Sequence, residues 1–88
     1  MFRLWGRLVK ENHLIKDYVS VRDYEDTRTH KVFAALDEIC CEFDLQVPIW
    51  LDQNITDFQK RGKCRFTKDS FIEQIDFDYL EIQDISEI

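Results

Sequence analysis

Between Arg3 and Arg22 apolar and polar residues alternate, and the alternation breaks at Glu11-Asn12-His13. A two-residue period sends successive side chains to opposite faces of a strand, so the segment predicts a β-hairpin. In its first strand Leu4, Gly6 and Leu8 share one face and Arg3, Trp5 and Arg7 the other, with the leucines pointing inward. The second strand sets Ile15, Asp17, Val19 and Val21 against Lys16, Tyr18 and Ser20, and the pattern leaves open which set meets the core. Gly6 inside a strand marks a bulge, a close approach by another element, or plain packing accommodation.

After the acidic stretch Asp23 to Thr27 the period lengthens. Val32, Leu36, Ile39 and Phe43 recur at spacings of four, three and four, flanked by Phe33 and Cys40, which predicts a helix from about Arg28 to Phe43 capped by Asp26 or Thr27. At about 100° per residue Cys40 falls beside the apolar stripe and Cys41 nearly opposite it. Pro48 disfavours a helical Val47, so Val47 to Leu51 is extended. A short second helix, Ile55 to Arg61, follows with Asp52 or Asn54 as its cap, Ile55 and Phe58 inward and Gly62 as its left-handed stop. Cys64 to Phe66 reads as a brief strand and Thr67 to Ser70 as a turn or a single helical turn. Ile75 to Ile85 reads as a long final strand, apolar on both faces and therefore central. The expectation is an α+β fold: an antiparallel sheet from the N-terminal hairpin plus the C-terminal strand, packed on one main helix with a short second helix.

Composition narrows the class. Eighty-eight residues with 44% hydrophobic content enclose one core and not two, so residues 1–88 are expected to form a single domain. Arginines interrupt the apolar residues at Met1 to Arg7, which leaves no export signal in view, and the longest apolar stretch, Val47 to Leu51, is far below the roughly 20 residues that span a bilayer. Three cysteines without framework spacing fit free thiols in a reducing cytoplasm, with no membrane association. The net charge of −6 is unevenly spread: +3 over residues 1–22, −7 over 23–59, +5 over 60–68 and −7 over 69–88.

Few patterns carry chemistry. His13, His30, Cys40, Cys41 and Cys64 contain no paired ligand spacing for zinc, and with only Gly6 and Gly62 no phosphate-binding loop can be written. His30 and Cys41 share the outer side of the helix but lie about 16 Å apart, too far for one metal ion or a nucleophile–base pair. Cys64 with a distant histidine remains open as a nucleophile pair, though nothing selects it. Asp76 and Asp78 share one side of the expected last strand about 7 Å apart, the placement of a magnesium or acid–base pair as well as of solvated charges. Asp69 with Glu81-x-Gln83 resembles the acid…E-x-K pattern of metal-dependent nucleases, but glutamine stands in the lysine position. The expectation is therefore no metal, no cofactor and no enzyme activity.

Two surfaces are candidates for binding. Lys60, Arg61, Lys63, Arg65 and Lys68 form the one dense basic cluster, interleaved with Phe66; they suit a nucleic-acid backbone, a protein partner, or the acids of residues 69–88. Trp50 and Trp5, if exposed near Ile49, make an aromatic hot spot rimmed by charge. The segments RLWGRLVK, DTRTHKVF, PIWLD and FDYLEI together resemble a family of short uncharacterised bacterial proteins over nearly the whole chain. That resemblance implies a bacterial, cytosolic, single-domain protein and carries no activity, cofactor or site residue. By elimination the sequence points to a protein–protein interaction module or a self-associating chain, with nucleic-acid binding through residues 60–68 as the alternative.

Overall fold

The hairpin closes because its turn accepts left-handed backbone: Glu11 and Asn12 sit at φ 53° and 63°, the twist that matches two right-twisted strands. Strands β1 (Phe2–Lys10) and β2 (His13–Arg22) flank that turn. The structure, a computed structural model, describes residues 1–86. Glu87, counted above in the acidic C-terminal segment, lies outside them. Helices α1 (Arg28–Glu42) and α2 (Asp52–Arg61), strand β3 (Lys63–Phe66), one 3₁₀ turn at Lys68–Ser70, and strand β4 (Tyr79–Asp84) follow. The strands form one antiparallel sheet in the order β2-β1-β4-β3, so the predicted α+β fold is the one adopted, with the C-terminal strand central.

Both helices lie on one face of this sheet. The Thr27 hydroxyl accepts from the His30 amide at 3.2 Å and so caps α1. Val32, Leu36, Ile39, Cys40 and Phe43 are buried as the stripe requires, joined by Ala35, while Phe33 at its margin stays 48% exposed. From the sheet Leu4, Phe66, Leu80 and Ile82 complete the core. Gly6 answers to close approach: a Cβ there would stand 2.5 Å from Ile39 Cγ2.

Register settles the question left open for β2. Leu4 pairs with Ser20 and Gly6 with Tyr18, so the polar set faces α1 and Ile15, Val19 and Val21 are exposed. Glu38 on α1 explains how a polar face is tolerated there. Its carboxylate accepts from Ser20 Oγ at 2.5 Å and Tyr18 Oη at 2.6 Å and pairs with Arg22 at 2.9 Å. The hydrogen bonds from Ser20 and Tyr18 outweigh burial and hold the Glu38 carboxyl below its ordinary range, while the same contact raises the Tyr18 hydroxyl.

Three expectations need correction. The last strand begins at Tyr79, not Ile75: residues 75–78 bend so that Phe77 stacks edge-on to Phe71 with centroids 5.6 Å apart, and Asp78 Oδ2 accepts from the Glu11 amide. Helix α2 starts at Asp52, and Asn54, within its first turn, accepts from the Leu51 amide while donating to the Arg65 carbonyl, which ties α2 to β3. Ile55, expected inward, is 41% exposed. Gly62 stops α2 at φ 69° as read from sequence.

Candidate functional site

Where α1 and α2 diverge they leave a groove of about 310 Å³, whose lining includes Val32 and Phe33 from α1, Ile55 and Phe58 from α2, and Trp50. Pro48 keeps the chain ahead of Trp50 out of helix, and this delivers the half-buried indole between the helices. Its ring meets Phe66, Phe58 and Phe33 edge-on at 5.0, 5.7 and 6.1 Å, the arrangement aromatic quadrupoles favour. The base of the groove is therefore rigid. Phe33 and Ile55 remain exposed, as do Val47, Ile49 and Leu51 in the segment that carries Trp50.

Arg28 also lines the groove. Its guanidinium lies 5.3 Å from the Phe58 ring centroid and donates to Asp84 Oδ2 at 3.0 Å. Burial alone would raise the Asp84 carboxyl, but hydrogen bonds from Ser86 and Arg28 more than offset it and lower the carboxyl below its usual range. Arg28 still keeps more than half its side chain in solvent, so one cation stands beside an apolar slot.

Acidic side chains are interleaved with the basic cluster. Lys60 and Arg61 occupy the last turn of α2, where cations complement the helix dipole. Arg61, Lys63 and Arg65 line a second hollow of about 330 Å³, but Asp57 and Glu81 share it. Arg65 Nε donates to Glu81 Oε2 at 2.7 Å, and that bond raises the guanidinium's pKa further; the group also lies 4.4 Å from the Tyr79 ring. Lys68 begins the 3₁₀ turn and is exposed. Lys60, Arg61, Lys63 and Lys68 make no ion pair among the described residues. Among the described residues the acids of the C-terminal segment thus take up Arg65 and pair with none of the other four cations.

Sequence reasoning missed a row of charge on the open face of the sheet. Pairing sets Asp17 opposite Arg7, Arg7 opposite Glu81, and Glu81 opposite Arg65, so signs alternate across all four strands. Glu81 is only 8% exposed although no helix covers it, because Arg7 and Arg65 both bind its carboxylate. Trp5 lies under Arg7, 4.1 Å from its guanidinium carbon, and donates to Asp17 at 3.1 Å. The available signal was Arg7 on the outward set of β1; its partners could not be found without the register.

The groups considered for catalysis are scattered or engaged. Burial pushes the Cys40 and Cys64 thiols up to about 12, which removes the thiolate a nucleophile needs, and Cys41 is alone on the surface. Glu81 is held by two arginines and Asp78 by a backbone amide. Among the described residues no three His, Cys, Asp or Glu side chains gather as a metal site, and no helix is long and apolar enough to cross a membrane. Comparison with protein-family models, curated proteins and solved structures finds no match.

Proposed function

We propose that the protein is a soluble, non-enzymatic protein-interaction module of the bacterial cytoplasm, whose groove between α1 and α2 receives a bulky apolar side chain from a partner segment carrying an acid beside it. One observation carries this reading: Phe33 and Ile55 stand open on either side of Trp50, whose ring packs on the buried Phe58 and Phe66. Exposed apolar walls over a rigid aromatic base are the make-up of a protein hot spot, and Arg28 at the groove supplies the charge that selects an acidic neighbour. The free thiols suit a reducing compartment.

The test is selection from a displayed peptide library against the purified protein. Enriched sequences are expected to carry Leu, Phe or Trp with Asp or Glu within one turn, and to lose binding to the Phe33→Asp variant. No enrichment, or enrichment indifferent to that variant, refutes the groove.

A second reading, nucleic-acid binding, is favoured by Arg61, Lys63 and Arg65 lining one hollow. Asp57 and Glu81 in the same hollow repel phosphate, which is why it ranks second. It predicts RNA or DNA affinity that falls steeply with salt and with Arg61→Glu; affinity absent at low salt dismisses it.

A further inference from the structure

The sheet has two edges, and they differ. Strand β3 has four residues and runs beside α2, to which Asn54 ties it. Strand β2 has ten residues and, among the described residues, its backbone pairs only with β1. A long edge strand with exposed Val19 and Val21 is a template for strand addition. A bulge near Leu8 and Val9 leaves Ile15 as the extra residue, so the regular part of the edge runs from Lys16 to Arg22.

We infer that the protein dimerises by antiparallel pairing of β2 with β2 of a second copy, the two-fold axis passing through Tyr18, which joins two four-stranded sheets into one. Charge selects both the occupant and the register. Because side chains alternate, only registers that place a residue on the axis keep the two open faces aligned. An axis at Lys16 or Asp17 sets that charge against its own copy, and an axis at Val19 sets Lys16 against Arg22; like charges directly opposite are unfavourable. An axis at Ser20 shortens the run and brings Asp17 toward Asp23. With Tyr18 on the axis Lys16 faces Ser20, Asp17 faces Val19, and Val21 meets the bulged Ile15.

That register also matches charge between the copies. Ser20 is bonded to Glu38, and the second half of α1 carries Asp37, Glu38 and Glu42 with no cation in its last turn. Lys16, which has no ion pair among the described residues, is delivered to the partner's acidic flank. The pairing is independent of the groove proposed above.

Sedimentation equilibrium tests it. The wild-type chain is expected at twice its 10.7 kDa mass at micromolar concentration. Lys16→Glu, and Val19→Asp, which sets a second carboxylate against the partner's Asp17, both on exposed positions, are each expected to weaken dimerisation by about tenfold or more while circular dichroism shows the fold intact. Phe33→Asp leaves the dimer unchanged, which separates this inference from the groove. In a Cys41→Ser background, Asp17→Cys and Val19→Cys chains mixed under an added oxidant cross-link to each other, and neither cross-links to itself. A monomer at every concentration, a dimer indifferent to Lys16→Glu and Val19→Asp, or self-linking of the Val19→Cys chain overturns the proposal.

Discussion

Leu8 pairs with Leu80 on the helix-covered face of the sheet, and one residue away Arg7 pairs with Glu81 on the open face. The same register thus builds two surfaces by different chemistry. On the covered face the limit is volume: Leu4, Leu80 and Ile82 have no exposure, and at Gly6 there is no room for a methyl group. On the open face it is charge balance: Glu81 is sheltered by two cations that themselves reach water. Burial of apolar area and fit stabilise the first face strongly, whereas partly solvated ion pairs stabilise the second by little. What the charged row does is cover the middle of the open face, so that the exposed valines of β2 are left at its edge.

Substitutions should separate the two faces in order of size. Phe66→Ala, which empties a fully buried site against Trp50, is expected to cost about 3–5 kcal/mol in urea denaturation, enough to threaten a small domain. Gly6→Ala should cost about 1–3 kcal/mol by pressing on Ile39, and Ile39→Ala in the same chain should relieve part of it; strictly additive costs in that double-mutant cycle would show that the contact is not the cause. On the open face Glu81→Gln is expected to cost only about 1–2 kcal/mol, because Arg65 is well solvated and loses little. A Glu81→Gln cost as large as that of Phe66→Ala would erase the contrast between the faces.

The smallest effect is a pH dependence at the contact of α1 with β2. Glu38 titrates below its ordinary range in the folded chain, so the stability it contributes is full above its unfolded value and is lost as pH falls through the folded one. Tyr18 titrates above its ordinary range, so its share is present below about pH 10 and lost as pH rises beyond it. Thermal melts of Glu38→Gln should flatten the acid limb and those of Tyr18→Phe the alkaline limb. Unchanged limbs in both variants would remove this contact as their source.

Much of the helix-covered face could be read from the chain. The spacing of Val32, Leu36, Ile39 and Phe43 fixes one helix face whatever lies beneath it, and Gly62 and Pro48 punctuate the chain through their own backbone limits. The groove was only partly legible. Trp50 stands out in the sequence as a candidate, but Phe33 reads as a flank of the stripe and Ile55 as an inward residue, since a margin position is buried or exposed according to the angle between two helices. The basic cluster reads as one group of five cations, but Arg65 is taken up by Glu81, 16 residues away in sequence.

The sequence by itself determined the periods: two residues for the hairpin, 3.6 for α1, and the breaks between them, all consequences of local backbone geometry and of which side chains avoid water. Only the tertiary structure decided which face of β2 meets α1, which acid takes Arg7 and Arg65, and where the indole of Trp50 comes to rest. Those outcomes depend on strand register and helix placement, and both are set by contacts between residues far apart in the chain, which no local pattern encodes.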